Sequence, residues 1–183
     1  AVKKVQSTIM THDWAIDLDI KSFFDTIDHD LMMRALEFYC KDEWVLMYVS
    51  RWLKAGTIIQ SRAHIDKTTG TPQGGVISPL LSNIFLHVVF DKWMEKEHPE
   101  KPFVRYADDV IVHCKTEKQA KYVQKLIEYR LRSCKLELNV QKTKIVNLRG
   151  MSENKYPRSF DFLGFTLKPR WTKTNKGHKI MIT

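Results

Sequence analysis

The sequence has few of the features that mark secreted, disulfide-linked or membrane-spanning proteins. It contains three cysteines in 183 residues, Cys40, Cys114 and Cys134. Their odd number and wide spacing argue against a disulfide framework or a zinc module and suit a reducing compartment, with each thiol expected to be buried. No segment is long and apolar enough to cross a bilayer, and the first residues lack the apolar stretch of a secretory signal.

Several common catalytic arrangements are also missing. The seven histidines show no metal-ligand spacing, and His113 is expected to pack in the core. No Ser/His/Asp or Cys/His arrangement indicates a nucleophile, and the Gly74-Gly75 pair does not precede a phosphate-binding lysine. There is no internal repeat and no low-complexity linker.

What the chain does contain is enough apolar sequence for one packed domain and an excess of positive charge. The hydrophobic content is 43%, and 30 Lys and Arg against 21 Asp and Glu give a net charge of +9. A basic balance favours a polyanionic partner such as nucleic acid, although ordinary solvated lysines produce a similar balance. The absence of an initiator Met and the abrupt end predict a fragment of a longer protein.

Hydrophobic periodicity predicts a mixed order of strands and helices. Residues 13–19 alternate as a half-buried strand with Asp17 and Asp19 on its open face. Asp28 should cap a helix whose apolar side carries Leu31, Ala35 and Phe38. A second helix follows and stops near Gly56, and residues 57–70 are predicted to form an irregular hairpin.

The second half of the chain is predicted to continue in the same mixed order. Ser78-Pro79 is typical of a helix start, and this helix should run to about Glu97. Thr116 and Gln119 form a capping box. Two short strands are predicted within residues 135–148, a strand or hairpin within 160–167, and a loosely patterned basic tail over 168–179. Consecutive hairpins favour the α+β class, with an antiparallel sheet backed by helices.

The most informative segment is residues 103–112, in which Asp108 and Asp109 lie between two apolar runs of strand character. The chain must turn at residues 107–109. Burying two like charges is costly unless a cation neutralises them, so this hairpin tip predicts a metal site. A solvated turn, in which Asp is common, is the alternative.

Antiparallel pairing of the strand at residues 13–19 with this hairpin would bring Asp19 beside Asp108 and Asp109. Three carboxylates on one face supply the hard oxygen ligands that two Mg²⁺ ions need. Such a pair of ions can activate a hydroxyl and stabilise a leaving pyrophosphate.

These motifs resemble the palm of a reverse transcriptase of the group II intron-encoded type. The matching segments follow one another in the order of that family: DLDIKSFFD at 17–25, TPQGGVISPLLSNI at 71–84, YADD at 106–109, Leu138-Asn139 with Lys142, and FLGF at 162–165. The resemblance covers roughly residues 13 to 168.

The resemblance implies a polymerase palm with a ferredoxin-like core and two Mg²⁺ ions. Asp19 and Asp108 would be the principal metal ligands, with Asp109 as a third carboxylate. Asp17 shares the face of Asp19 and is expected to be a solvated or salt-bridged strand residue rather than a ligand. The implied partners are an RNA template (intron RNA), a DNA primer or target and dNTP, with no membrane.

The resemblance also implies residues that contact substrate. Phe24 falls at the steric-gate position, where its ring would clash with a 2′-hydroxyl. The alternative is that Phe24 is a core residue. Neighbours on a strand face opposite ways, so either Phe23 or Phe24 must point into the core. Gln73 and Gly74 would approach the nascent base pair or template, beside Tyr106. Lys142 would steady or protonate pyrophosphate, with adjacent Lys144 as a competing candidate. The primer grip would be Phe162, Leu163 and Gly164, for which a core hairpin is the alternative.

The implied domain organisation is a palm over residues 1–168, with part of the fingers around 41–75, followed by a basic tail or the start of a connection over 169–183. Because most of the fingers and the thumb are missing, the 183 residues are expected to show little or no processive extension. The expected location is the bacterial cytoplasm, with an organelle as the alternative. Competing functions are an intron RNA-binding splicing cofactor, or the reverse transcriptase of a retron, diversity-generating or CRISPR-associated element.

Overall fold

The computed structural model describes residues 1–54, 68–71, 75–149, 155–168, 170–173 and 179–182. They form two compact units. The sheet unit comprises Ala1–Asp19, His98–Tyr129 and Leu138–Thr183, and the helical unit comprises Ile20–Glu97 and Arg130–Glu137. Among the described residues, no helix combines the length and the apolar character needed to cross a membrane.

Helices and strands alternate along the chain. In order they are α1 (Val2–Ile9), β1 (Trp14–Leu18), α2 (Phe23–Thr26), α3 (His29–Tyr39), α4 (Glu43–Lys54), α5 (Ser78–Leu86), a π-helical segment (His87–Asp91), α6 (Lys92–Glu97), β2 (Phe103–Tyr106), β3 (Asp109–Cys114), α7 (Glu117–Ser133), β4 (Lys144–Asn147), β5 (Phe160–Phe162), β6 (Phe165–Leu167), β7 (Arg170–Lys173) and β8 (Lys179–Ile182).

The sheet unit is built on four antiparallel strands in the order β2-β3-β1-β4. β1 is an inner strand, with Trp14 opposite Cys114 on β3 and opposite Asn147 on β4. Two smaller antiparallel pairs, β5-β6 and β7-β8, complete the described strands. The α+β class and the antiparallel sheet predicted from the sequence are therefore confirmed.

Both faces of β1 are buried at Ala15 and Ile16, whereas Asp17 and Asp19 on the predicted open face are half-buried; the prediction of a half-buried strand therefore holds at the Asp19 end and is wrong at Ala15. One face contributes Ala15 to a core cluster with Ile111, Val104 and Val146 of the neighbouring strands, joined by residues of α1 and of the β5-β6 pair. On the opposite face Ile16 is also fully buried. On the face shared by Ala15 and Asp17, the strand remains partly open at Asp17, because the apolar cover is provided at Ala15.

The β5-β6 pair is a tight hairpin, as predicted. Its two turn residues, Leu163 and Gly164, have φ angles of 53° and 77°. Positive φ at both central positions is the type I′ pattern, whose twist matches that of the flanking strands. An added Cβ at Gly164 would meet no atom within 4 Å. This glycine is thus required by backbone conformation, not by crowding.

The helical unit shows why the chain leaves its strand after residue 19. Ser22 has a φ of 46° and precedes the short helix α2, so Phe23 and Phe24 lie on a helix and not on a strand as predicted. Asp28 caps α3 by accepting the Leu31 amide at 3.0 Å, as predicted. Its second oxygen accepts a hydrogen bond from Lys135 Nζ at 2.6 Å.

Four other predictions in this unit either need correction or fall outside the described residues. Phe38 is 73% exposed, because α3 buries its Met32 and Leu36 side instead. The helix predicted at Ser78 does begin there, but Ile77 occupies the capping position. Cys40 is only half-buried. Residues 55–67, which include most of the predicted irregular hairpin, are outside the described residues.

Two predictions for the end of the chain are also corrected. Residues 135–148 contain one strand, β4, instead of two, because the Asn139 side chain accepts the amides of Gln141 and Lys142 and holds a turn. The tail predicted to be loosely patterned forms the antiparallel pair β7-β8, with Arg170 opposite Ile182.

His113 is an unusual core residue. It lies on β3 opposite Ala15, is fully buried, and neither ring nitrogen has a hydrogen-bond partner among the described residues. Burial, with smaller contributions from His12 and Lys4, lowers its pKa from 6.5 to about 4. The native state therefore holds this imidazole neutral at pH values where the unfolded chain protonates it.

We predict that His113 makes the protein less stable in acid. The pKa of His113 is lower in the folded protein than in the unfolded chain. The contribution of the neutral imidazole to the free energy of unfolding is therefore complete above pH 6.5 and is lost as the pH falls towards 4. The shift corresponds to about 3 kcal/mol. Urea unfolding of the wild type and His113→Leu at pH 7 and pH 4 should show the wild type losing up to that much relative to the variant. Parallel pH profiles would contradict the prediction.

Candidate active site

The tip of the β2-β3 hairpin holds the two adjacent aspartates. Tyr106 pairs with Asp109, so the connection consists of Ala107 and Asp108 alone. Ala107 has a φ of 53°, a left-handed conformation that costs a non-glycine residue about 1–2 kcal/mol. Arg105 Nη1 donates to the Ala107 carbonyl at 2.9 Å and so holds this turn. The strained turn keeps Asp108 at the end of the ribbon.

Asp19 reaches the same edge of the sheet from β1. The β1-β3 ladder ends with Leu18 opposite Val110. Continuing the register by one residue would set Asp19 opposite Asp109, in agreement with the effect of the Asp19 charge on the pKa of Asp109. Directly opposed residues of antiparallel strands have Cα atoms about 4.5–5.5 Å apart and side chains on the same face. Although the two carboxylates are distant in sequence, the pairing predicted from the sequence makes them neighbours.

The backbone of Asp19 is held on both sides. Its carbonyl accepts the Asn139 amide at 2.8 Å, and its own amide donates to Thr143 Oγ1 at 3.2 Å. The loop before β4 thus anchors the end of β1. Neither Asn139 nor Thr143 was predicted to have this role, since hydrogen bonds between residues over a hundred positions apart leave no local sequence signal.

Burial and the charges of neighbouring carboxylates raise the pKa values of Asp17 and Asp109. Burial, followed by the charges of Asp108 and Asp19, raises the pKa of Asp109. Burial also raises the pKa of Asp17 to about 6, opposed by Lys144 and assisted by Asp109, Asp161 and Asp19. Such clustering of acids that favour protonation is typical of sites that bind cations.

Two lysines of the sheet unit lie near these acids. Lys142 Nζ is 3.8 Å from Asp19 Oδ1, and both side chains are substantially exposed. Lys144 is opposite Asp17 in the β1-β4 ladder. The structure thus separates the two candidates: Lys142 faces the predicted metal ligand, whereas Lys144 moderates the charge of Asp17.

The donor types fit a hard divalent cation, because carboxylate oxygens are the ligands that Mg²⁺ prefers. In the part of the chain that the structure describes, however, no three His, Cys, Asp or Glu side chains form a ready-made coordination group. Like-charged carboxylates repel at close range, and this opposes their convergence in the absence of a neutralising cation. Asp19, Asp108 and Asp109 are the residues that would hold the metal.

The remaining predicted site residues are distributed over both units. Tyr106 is 59% exposed at the hairpin tip. Phe24 is half-buried on α2, and its carbonyl accepts the Thr71 amide at 2.7 Å. Within the predicted primer grip, Phe162 is buried in the core while Leu163 and Gly164 form the hairpin turn. Gln73 and Gly74 lie outside the described residues.

Asp161 is a further acid that sequence reasoning missed. It lies on β5, accepts a hydrogen bond from Thr166 Oγ1 at 2.6 Å, and acts on the pKa of Asp17. The alternation of Phe160, Asp161 and Phe162 could have indicated that one acid points away from the buried rings. Its approach to Asp17 depends on tertiary packing and has no sequence signal.

We predict that Asp17 makes the metal-free protein less stable as the pH rises. The pKa of Asp17 in the folded protein, about 6, exceeds the value of 3.8 for an unperturbed Asp. The contribution of its protonated carboxyl to the free energy of unfolding is therefore present below pH 3.8 and is lost as the pH passes 6. The full shift would correspond to about 3 kcal/mol, and solvent screening of this half-buried carboxylate reduces the expected effect to about 1–2 kcal/mol. In EDTA, Asp17→Asn should become more stable than the wild type between pH 4 and 7. A variant less stable than the wild type at pH 7 would contradict this prediction.

Comparisons with known proteins agree with the architecture and the motifs. The family model described as reverse transcriptase (RNA-dependent DNA polymerase) matches residues 2–167. Protein YkfC of Escherichia coli is 31% identical over 84% of this chain and 46% of its own length. The group II intron-encoded protein LtrA of Lactococcus lactis is 34% identical over 59% of this chain and 19% of its own. The chain therefore spans less than half the length of these curated relatives.

Solved structures show the same fold at low sequence identity. Apo telomerase from Candida tropicalis has a TM-score of 0.67 and 15% identity, over 88% of this chain and 33% of the telomerase chain. Telomerase from Candida albicans, solved with a fragment of telomeric RNA, has a TM-score of 0.64 and 17% identity over 85% of this chain and 29% of its own.

These matches confirm the resemblance drawn from the motifs, and with it a divalent metal as a general requirement of the family. The chain belongs to the reverse transcriptase (RNA-dependent DNA polymerase) family, and its relatives include group II intron-encoded proteins.

Proposed function

We propose that this chain carries the catalytic palm of an RNA-directed DNA polymerase and that Asp19, Asp108 and Asp109 bind two Mg²⁺ ions. The observation that carries the proposal is the β1-β3 register, which brings Asp19 and Asp109 to one edge of the sheet beside Asp108. The raised pKa of Asp109 supports it, because a divalent cation would relieve the repulsion that favours protonation.

When bound, the ions would supply Lewis-acid activation of a primer 3′-hydroxyl and stabilise charge on the leaving pyrophosphate. The protein's own contribution is to hold three carboxylates at the adjoining ends of two hydrogen-bonded strands, so that they need little reorganisation during the reaction. The bonds from Asn139 and Thr143 to the Asp19 backbone and the bond from Arg105 to Ala107 serve this purpose.

Lys142 is suited to act on the pyrophosphate side of the reaction. Its ammonium is 3.8 Å from Asp19 Oδ1 and is exposed, so it can leave that carboxylate when a more negative group arrives. A positioned lysine can steady a phosphate or transfer a proton to it. We assign this role to Lys142 in preference to Lys144, which is opposite Asp17.

The other substrate contacts follow from the family motifs. Phe24 would select against a 2′-hydroxyl, Gln73 and Gly74 would contact the template or nascent pair beside Tyr106, and residues 162–164 would grip the primer. The proposed substrates are an RNA template, a DNA primer and dNTPs. Residues 1–168 would form the palm, with part of the fingers around 41–75.

We predict that Asp108→Asn abolishes nucleotide addition without weakening binding of the template-primer. Loss of metal ligation should cost several kcal/mol in the transition state, which is a rate loss on the order of 10³-fold. Single-turnover addition of one dNTP to an RNA-templated primer in Mg²⁺ measures the rate, and fluorescence anisotropy measures binding.

The matched control is Asp30→Asn, which removes one exposed carboxylate from the first turn of α3. This variant should retain the wild-type rate within about threefold, since a surface substitution of this kind has small effects. If Asp108→Asn adds nucleotides as fast as Asp30→Asn, or if both lose activity equally, the assignment of the metal ligands is wrong.

A further inference from the structure

The solvent-exposed side of α7 carries an unusual row of side chains. Lys118, Tyr122, Lys125 and Tyr129 recur every three or four residues, so they lie on one face of the helix. We call this row the α7 stripe. Both tyrosines are prominently exposed, Tyr122 at 62% and Tyr129 at 77%. On the other side of the helix Ala120, Val123 and Ile127 are fully buried, so the stripe has no role in the core.

The stripe side chains have no hydrogen-bond or ion-pair partners in the described part of the chain. By contrast, neighbouring Lys121 pairs with Glu117 at 2.6 Å. Lys121 also lies one turn from both Lys118 and Lys125, and like charges at this spacing destabilise a helix by a few tenths of a kcal/mol. Glu117 compensates the charge of Lys121, whereas Lys118 and Lys125 have no acidic partner among the described residues and remain available to a partner that supplies negative charge.

The positive surface continues beyond the helix. Lys121 Nζ lies 6.0 Å from the ring centre of Tyr156, whose hydroxyl donates to Glu117 at 2.7 Å. Lys155 Nζ is 5.5 Å from the same ring, and its side chain is exposed. Tyr156 thus lies between Lys121, which neighbours the stripe lysines on the helix, and the exposed Lys155.

We infer that the α7 stripe binds the phosphate backbone of base-paired RNA. Lysine is depleted in protein-protein interfaces, so a stripe in which lysines alternate with tyrosines favours a polyanion over a protein. Lys118 and Lys125 are seven residues apart, which is about 10 Å along the helix. A convex row of this kind has no groove for single bases, but it can contact phosphates and 2′-hydroxyls across the wide minor groove of an RNA duplex. The chemistry of Asp19, Asp108 and Asp109 has no part in this inference.

The test uses the 183-residue chain and a blunt RNA hairpin of about 16 base pairs, which offers no primer terminus. Binding is followed by fluorescence anisotropy in EDTA over a range of salt concentrations, so that bridging by divalent ions is excluded. The variant Lys118→Ala/Lys125→Ala is compared with Lys92→Ala/Lys96→Ala. The control pair removes the same charge from helix α6, where both lysines are paired with glutamates.

The stripe variant should bind the hairpin at least about tenfold more weakly, and the slope of log K against log salt should fall by about two. The control should change the slope by less than about half a unit, because its lysines contact no phosphate. Tyr122→Phe/Tyr129→Phe should weaken binding by a smaller factor, through loss of the hydroxyls. Circular dichroism confirms folding; should the alanine pair unfold, Lys118→Gln/Lys125→Gln replaces it.

Several outcomes would overturn the inference. Equal losses in the stripe and control variants would show that only net charge matters. Equal affinity for a DNA duplex of the same sequence would contradict the RNA assignment. Concentration-dependent self-association that the stripe variant abolishes would show that the stripe contacts protein. Because the hairpin cannot be extended, a failed polymerase assay leaves this test unaffected.

Discussion

The candidate site depends on the antiparallel pairing of β1 with β3. This ladder joins a strand near the start of the chain to the ribbon that ends at Asp109, and its register decides which acids become neighbours. A shift of one residue would turn Asp19 to the opposite face from Asp109. The register is held by apolar residues on both faces of the sheet, including Ala15 and Ile111 on one face and Ile16 on the other.

The same face of the sheet changes from apolar core to charged site within a few residues. At the β1-β3 pair Ala15 and His113 it is fully buried, and burial keeps the imidazole neutral. Two residues further along β1, burial still raises the pKa of Asp17. Two residues beyond Asp17 on β1, and two residues before Ile111 on β3, the same face carries Asp19 and the exposed Asp109. Core packing therefore determines both the position of the carboxylates and the burial that raises the pKa of Asp17 and Asp109.

Much of the fold could be predicted from the sequence because its signals are local. The alternation in residues 13–19, the Asp28 cap and the run from Ser78 to Glu97 each reflect the geometry of one element. The Asp108-Asp109 turn was predictable for the same reason, since two apolar strands must reverse direction there.

The failures occurred where distant residues determine the outcome. Phe38 fits the apolar side of α3 by periodicity, yet the helix buries Met32 and Leu36 together with the predicted Ala35 and leaves Phe38 exposed. The face of Asp17 appeared open from alternation alone, whereas α1 and the β5-β6 hairpin cover its Ala15 end. The influence of Asp161 on Asp17 and the anchoring of Asp19 by Thr143 require the assembled sheet unit.

The central claim is that carboxylates from β1 and β3 share one metal site. Titration of the isotopically labelled protein with Mn²⁺ tests it directly, because the paramagnetic ion broadens NMR signals of nearby amides. We expect the amide signals of Asp19, Asp108 and Asp109 to broaden together at the same Mn²⁺ concentration, and excess Mg²⁺ to restore them. Broadening confined to residues 108 and 109, with the Asp19 signal unchanged, would contradict the account.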